Sequence, residues 1–340
     1  MTDTIGSLFP MVEAGVAEVI SSLGTYTLAM NDPPWTTVRD RVKPPQCVVH
    51  AFDMELTALE ALVDPFDTSE VVVGLGGGTA LDTAKFLAWR GNKRLIQIPT
   101  ITSVDAGFTD AIGVREGGKV RYIGKITPEM VVLDIPLIRS APRYLNRGGI
   151  GDILSCHTGL HDWRLASEAG SGVPWRDDLA ALGRTLLGEL DSAAEEIHDV
   201  TSDGVRFMAS AYRRIGAACA EANHSRFEEG SEHFWAYCYE HATGAHQVHG
   251  ELIALGVAAM SVIQGNDPAW VQSLIRRCAT RCHPQALGIS REEFIDALVG
   301  LRAYARAEGL DVSVVDVADI DASLAGRAWD AADSLPKAVD

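Results

Sequence analysis

Residues 71 to 85 run Val-Val-Val-Gly-Leu-Gly-Gly-Gly-Thr-Ala-Leu-Asp-Thr-Ala-Lys. An apolar run enters three consecutive glycines and leaves as a helical pattern. Backbone without side chains lets a pyrophosphate approach closely and take hydrogen bonds from the free N–H groups at a helix start. A strand, a glycine turn and a helix in that order demand an α/β layer, and they make a dinucleotide the expected ligand of this turn. The bland reading of the same residues is a tight strand-to-helix turn, since glycine is recruited for that too.

Around this turn the first half of the chain alternates short apolar runs with helical spacing, the pattern of a parallel sheet with crossover helices. Strands are predicted at 25–30, 47–51, 70–74, 94–98, 120–123 and 130–134, and amphipathic helices at 54–62 and 80–89. After about residue 145 the β pattern stops. Alanine- and leucine-rich stretches at 177–197, 205–221 and 252–263 carry apolar residues three and four apart, and Ser290 with Glu293 forms a capping-box signature ahead of another helix. The expected architecture is an α/β Rossmann-like dinucleotide-binding domain over 1–145 and an all-α metal- and substrate-binding domain over 146–340, with a ligand cleft at the hinge.

Charge narrows the partners. The chain has 29 basic against 46 acidic residues, a formal net charge of −17, which repels nucleic acid and anionic membrane surfaces at long range. The six cysteines are scattered without a CxxC pair, as in a reduced protein. The start of the chain lacks the basic, apolar and cleavage regions of a secretory signal, and no apolar run is long enough to span a membrane. A soluble cytoplasmic protein follows as the expectation, its partners being a small-molecule substrate and, at most, further copies of itself in a homo-oligomer.

In the second half, Gly151-Asp152, Gly230-Ser231-Glu232-His233 and His249-Gly250-Glu251 place one carboxylate and two imidazoles beside small residues. Such donors suit a divalent metal, and small neighbours leave room for substrate and water. His233 and His249 are 16 residues apart, too far for one helix face and suited to two consecutive helices. Spacing alone does not distinguish this trio from coincidence among ten histidines.

The ordered set of motifs does more. Gly76-Gly77-Gly78 with Asp82 and Lys85, Pro99-Thr100-Ile101-Thr102-Ser103-Val104-Asp105, Ala141-Pro142, Gly151-Asp152, Asp162-Trp163, Ser225-Arg226, Gly230-Ser231-Glu232-His233 and His249-Gly250-Glu251 occur in sequence. By them the chain resembles the metal-dependent polyol dehydrogenase superfamily, which includes iron-containing alcohol dehydrogenases and dehydroquinate synthase. Within it the similarity is greatest to the sn-glycerol-1-phosphate dehydrogenase branch. The resemblance implies a dehydroquinate synthase-like fold and an NAD- or NADP-dependent, divalent-metal-dependent dehydrogenase. It would transfer hydride between nicotinamide and a small polyol or ketone, with glycerol-1-phosphate and dihydroxyacetone phosphate as the specific pair.

Carried over residue by residue, it implies Asp152, His233 and His249 as metal ligands and part of the catalytic set. Gly76, Gly77, Gly78, Asp82, Thr100 and Ser103 fall in the cofactor motifs, and Asp105 reaches the nicotinamide and substrate end. Zinc is the first choice of ion; iron, nickel and manganese accept the same donors. Arg226 and Lys125 are candidate clamps for a substrate anion, although Phe227, Glu228 and Glu229 replace the Pro and small residues usual in that branch. Asp32, after the first strand, is placed to bind a ribose and to disfavour the 2′-phosphate of NADP, or else is a turn residue before Pro33. His246 is a candidate proton relay or surface histidine, while His157, His161, Trp163, Trp235, Tyr237 and Tyr239 read as structural. The alternative activity is a sugar-phosphate cyclase of the dehydroquinate-synthase type using NAD transiently; Asp152, where that branch has Glu, weighs against it.

Overall fold

In the computed structural model, residues 8–337 are described. They form two compact units: residues up to Pro142 with Tyr212–Ala222, and Arg143–Ala211 with Asn223 onward.

The first unit is built on eight strands: β1 (Met11–Glu13), β2 (Tyr26–Met30), β3 (Cys47–His50), β4 (Val71–Gly76), β5 (Arg94–Pro99), β6 (Ala111–Glu116), β7 (Lys119–Lys125) and β8 (Met130–Leu133). Six of them make one sheet in the order β1-β8-β5-β4-β2-β3, with every pairing parallel. The adjacent inner strands β2 and β4 are buried along their whole length, which is why they read as mainly apolar runs rather than as alternation. Val71, Val73 and Leu75 pack with Leu28, Ile96 and Val132 on one side of the sheet, while Val72, Ala84, Phe86 and Leu95 pack on the other.

Sheet order explains where a ligand belongs. From β2 the chain moves outward to the edge strand β3, then returns past β2 to β4 and continues the other way to β5. The reversal lies between β2 and β4, and open α/β sheets bind ligands outside the carboxyl ends of the strands at such a point. Asn31 and Asp32 follow β2 there, and Gly76-Gly77-Gly78 close β4.

The run at 120–123 differs from expectation. It falls in β7, which pairs antiparallel with β6 in a separate two-stranded ribbon. Gly117 and Gly118, at φ +60° and +76°, turn the chain back at once, so that no crossover helix is needed. Strands β1 and β6 escape the sequence pattern, β1 because three residues show no periodicity.

The second unit is helical, and among the described residues no strand follows Leu133. The predicted helix over 177–197 is two, Asp177–Ser192 and Ala194–His198. The Ser290 capping box is present, opening the helix Arg291–Glu308. The long helix Ser202–Ala222 is shared: its last residues belong to the first unit, where the Tyr212 hydroxyl donates to the Thr102 carbonyl at 2.7 Å. A single cut near residue 145 does not capture this return. No described helix is long and apolar enough to cross a membrane.

One half-buried ion pair joins the loop before β4 to the start of β5. The Asp67 carboxylate sits 2.6 Å from Lys93 Nζ and accepts from Thr27 Oγ1 and from the Ser69 N–H, each at 2.8 Å. Burial alone raises its pKa, but Lys93, Ser69 and Thr27 outweigh that and hold it down at about 2. A carboxyl depressed in the folded state contributes stability that is complete above its unfolded pKa near 4 and disappears as pH falls through the folded value. The contribution is about 2 kcal/mol. Asp67→Asn should therefore lower urea stability by about that amount at pH 7 and flatten its decline between about pH 4 and pH 2; an unchanged acid profile would refute the assignment.

Candidate functional site

At the carboxyl end of the sheet, Gly76 adopts φ +153°, and a Cβ there would lie 2.5 Å from Asn31 Oδ1 and 2.8 Å from Ala80 Cβ. Only glycine fits. Gly77 caps the helix Gly78–Gly91, whose first N–H groups have no intrahelical partner. Next to it, the Thr100 N–H donates to the Gly76 carbonyl at 3.0 Å. Thr100 and Ser103 are buried, and the Thr100 hydroxyl oxygen is sealed from solvent without a hydrogen-bond partner, an acceptor and donor that a bound group would satisfy. Asp105 precedes the short helical turn Ala106–Phe108 and is half-buried.

The remaining cofactor and anion candidates sit differently. The exposed Asp32 carboxylate accepts from the Thr36 hydroxyl at 2.7 Å and from its N–H at 3.2 Å, bonds that hold its pKa below the usual range. It serves the turn whether or not it also meets a ribose. Asp82 lies 3.0 Å from the buried Lys85 ammonium, which also donates to Thr109 and to the Ala111 carbonyl; its nearest partners belong to the fold. Lys125 is half-exposed at the end of β7, 3.7 Å from Asp110.

The helical unit brings the metal candidates together. Asp152 stands in the short helix Ile150–Leu154, His233 in the first turn of Ser231–Thr243, and His249 opens His249–Gln264. One donor atom from each lies within 4.8 Å of the other two. His249 Nε2 is 3.5 Å from Asp152 Oδ1, against about 3.4 Å between donors on a tetrahedral zinc. Asp152 and His233 are buried, while His249 keeps 39% of its side-chain surface exposed. Three donors with an open side fit an ion that must also bind substrate.

Glu232 Oε1 sits 2.9 Å from His233 Nδ1 and also accepts the Gly230 N–H at 2.6 Å. A carboxylate there accepts a hydrogen bond from Nδ1–H, which keeps the proton on Nδ1 and leaves the Nε2 lone pair for a metal. Burial disfavours charge on this imidazole, but the hydrogen bond to Glu232 and the charges of Glu229, Glu232 and Glu228 prevail, pushing it up to about 10. The site is thus prepared for positive charge, supplied by a proton or by a cation that displaces it.

The glycines of these motifs do something other than leave room for substrate. A Cβ on Gly151 would meet the Gly250 carbonyl oxygen at 2.1 Å, and one on Gly256 would meet the Glu232 carbonyl at 2.8 Å. The small residues let three helices approach main chain to main chain, and the donors converge as a result. Asp162, buried completely, accepts the Ser231 N–H and the Val314 N–H at 2.7 Å each and so fixes the start of the His233 helix. Burial and then Glu232 raise its carboxyl to about 6. Glu251, also buried, is gripped by both nitrogens of Arg281 at 2.8 and 2.9 Å, and Arg281 lies 3.9 Å over the Tyr144 ring.

Arg226 corrects an expectation. Its guanidinium is buried and donates to the carbonyls of Val312 at 2.8 Å and Glu229 at 3.3 Å, with Asp311 3.7 Å away. Its fork is thus directed at groups of the fold, where the sequence leads one to expect a substrate anion. His246 is exposed in the loop before His249. His157 bonds the Asn266 carbonyl at 2.7 Å, and Trp163, Trp235 and Tyr239 are buried.

Comparison with known proteins bears on this geometry. Residues 17–142 match the family model described as iron-containing alcohol dehydrogenase. The chain is 33% identical over 228 residues to the glycerol-1-phosphate dehydrogenase (NAD(P)+) of Hyperthermus butylicus, and 33% identical over 230 residues to that of Sulfolobus acidocaldarius. Each match covers 67% of this chain and 65% of the relative's length. In fold it is similar to a probable glycerol dehydrogenase from Sinorhizobium meliloti, with a TM-score of 0.71 and 20% identity over 96% of both chains. The chain belongs to the iron-containing alcohol dehydrogenase superfamily. In this member of the superfamily, Asp162 and Glu232 lie in the motifs and Glu229 beside one, but their contacts do not show in the sequence, and Arg281 is a partner that motif reading passes over. For Asp162 and Glu232 the signal was present only as adjacency, Glu232 beside His233 and Asp162 in its own motif.

Because Gly151 sets the approach of two ligand-bearing helices, Gly151→Ala should cost about 2–3 kcal/mol through overpacking and should also reduce zinc retention. Thermal unfolding and metal analysis of apo and zinc-loaded protein check this; an alanine tolerated with full zinc content would contradict it.

Proposed function

We propose that this chain is an NAD(P)-linked, divalent-metal-dependent dehydrogenase that interconverts a small polyol and the corresponding ketone or aldehyde. The observation that carries the reading is the convergence of Asp152, His233 and His249 from three helices onto one point. The glycine turn at the switch point of the sheet and the superfamily relationship support it. So do the chain's relatives, the glycerol-1-phosphate dehydrogenases (NAD(P)+).

The residues divide the work. Gly76, Gly77 and Gly78 offer main-chain N–H groups to a pyrophosphate without side chains in the way. Thr100, Ser103 and Asp105, on the segment leaving β5, continue the binding surface toward the reactive end of the cofactor. Glu232 holds His233 in the tautomer that presents Nε2. A divalent ion on Asp152, His233 and His249 supplies Lewis acidity toward an alcohol or carbonyl oxygen, so that no strong protein base is required. Zinc is our first choice of ion. Nicotinamide supplies the hydride chemistry when bound.

The test uses the full-length protein stripped with a chelator and reloaded with zinc, assayed for NADH and NADPH oxidation with dihydroxyacetone, dihydroxyacetone phosphate and small aldehydes. Stoichiometric oxidation that depends on metal is expected; a cyclase would turn over without net NADH loss. His249→Ala should lose both bound zinc and more than about a hundredfold in rate. Full metal content and full rate in that variant would end the proposal. Replacing Asp32 by Ser should shift the preference toward NADPH by about tenfold if its carboxylate repels a 2′-phosphate, read as the ratio of kcat/KM for the two cofactors.

A further inference from the structure

We infer that the helical unit selects substrates by charge, taking small uncharged polyols and carbonyls in preference to phosphate esters. The inference rests on the dehydrogenase reading above and names its substrate class.

The cations come first. No lysine occurs between Lys125 and Lys337, so a phosphate met by this unit would have to be held by arginine. Three arginines close to the helices that carry the donors are engaged by other groups of the fold. Arg147 is buried and donates to the His198 carbonyl at 2.7 Å, Arg164 pairs with Glu168 at 2.5 Å, and Arg281 grips Glu251. Arg226 is the one that the motif order would assign to a substrate anion. Its bonds to Val312, Glu229 and Asp311 keep it inside the fold.

The anions come next. The segment leading into the His233 helix carries Glu228, which is buried, and Glu229, which is half-buried. The Glu229 carboxylate is fixed from two sides, by the Ser225 hydroxyl at 2.5 Å and the Tyr237 hydroxyl at 2.6 Å. The Tyr237 ring in turn lies 6.1 Å from the His233 ring. Glu229 interacts electrostatically with both His233 and His249. Asp152, Glu229 and Glu232 thus set three acidic side chains on or beside the two imidazoles that a single divalent ion would join, with Glu228 next to Glu229 in the chain. A phosphate monoester brings about two further negative charges, and at partly buried distances each like-charge encounter weakens binding by roughly tenfold or more. A free polyol or ketone carries no such penalty. Its hydroxyls are donors suited to a carboxylate-rich wall.

Two readouts on the holoprotein separate this inference from the reading beneath it. The first is kcat/KM of the zinc-loaded protein for dihydroxyacetone and for dihydroxyacetone phosphate. The second is the visible absorption of the cobalt(II)-substituted protein titrated with glycerol and with glycerol-1-phosphate, which needs no turnover. We expect the uncharged compound to be favoured by about tenfold or more in each. Glu229→Gln should move both ratios toward the phosphate by about tenfold, and Glu228→Gln serves as the second variant should the first fail to fold. If neither ketone is reduced while cobalt still discriminates, the dehydrogenase reading fails and charge selection stands. If the phosphate is favoured in wild type by either readout, or neither Gln variant moves the ratio, charge selection is overturned.

Discussion

Gly151 meets the Gly250 carbonyl so closely that a methyl group between them would stand 2.1 Å from the oxygen, and this main-chain contact places Asp152 opposite His249. A side-chain contact would leave the spacing to rotamers, whereas apposed backbones have no such freedom. The same device recurs where Gly256 lies against the Glu232 carbonyl, bringing the His233 helix alongside. Around this frame the polar groups are second in order. Asp162 pins the first turn of the His233 helix, Glu232 orients the imidazole, and Arg281 with Glu251 holds the helix that His249 opens.

In the first unit the corresponding constraint is the reversal of strand order between β2 and β4. It leaves the ends of two buried strands without a covering neighbour, and the chain fills that point with Asn31, Asp32 and the three glycines. The positive φ of Gly76 and the tight seat of its α-carbon against Asn31 show that the turn is sterically determined before any ligand is considered. The glycines that fit a pyrophosphate are therefore also the glycines that the fold requires. This is why the glycine cluster alone leaves two readings open.

Much of the architecture is legible because parallel sheets and helices write their burial into the chain. The fully buried β2 and β4 appear as mainly apolar runs, and the helical half as spacings of three and four. The ribbon of β6 and β7 was misplaced because its strands are half-exposed and its turn, Gly117-Gly118, is a local signal that strand periodicity does not weigh. Among site residues, Asp152, His233 and His249 were found through ordered motifs, and the structure places them within reach of one another. The fate of Arg226 was not legible, since its partners Val312 and Asp311 lie more than eighty residues further on. The purpose of the motif glycines was hidden likewise, because a helix–helix approach is a property of two distant segments.

The distribution of basic residues has a consequence for alkaline solution. From residue 126 to 336 fixed positive charge is carried by guanidinium groups, which keep their protons wherever a protein remains folded. Pairs such as Arg281 with Glu251 and Arg277 with Asp191 therefore survive in base. The first unit uses both kinds of cation, ammonium in Lys93 on Asp67 and Lys85 on Asp82, and guanidinium in Arg94 on Glu129 and Arg90 on Glu60. Charge pairing in the helical unit thus rests on one planar, forked cation, whereas the sheet-bearing unit mixes that fork with the compact ammonium of lysine.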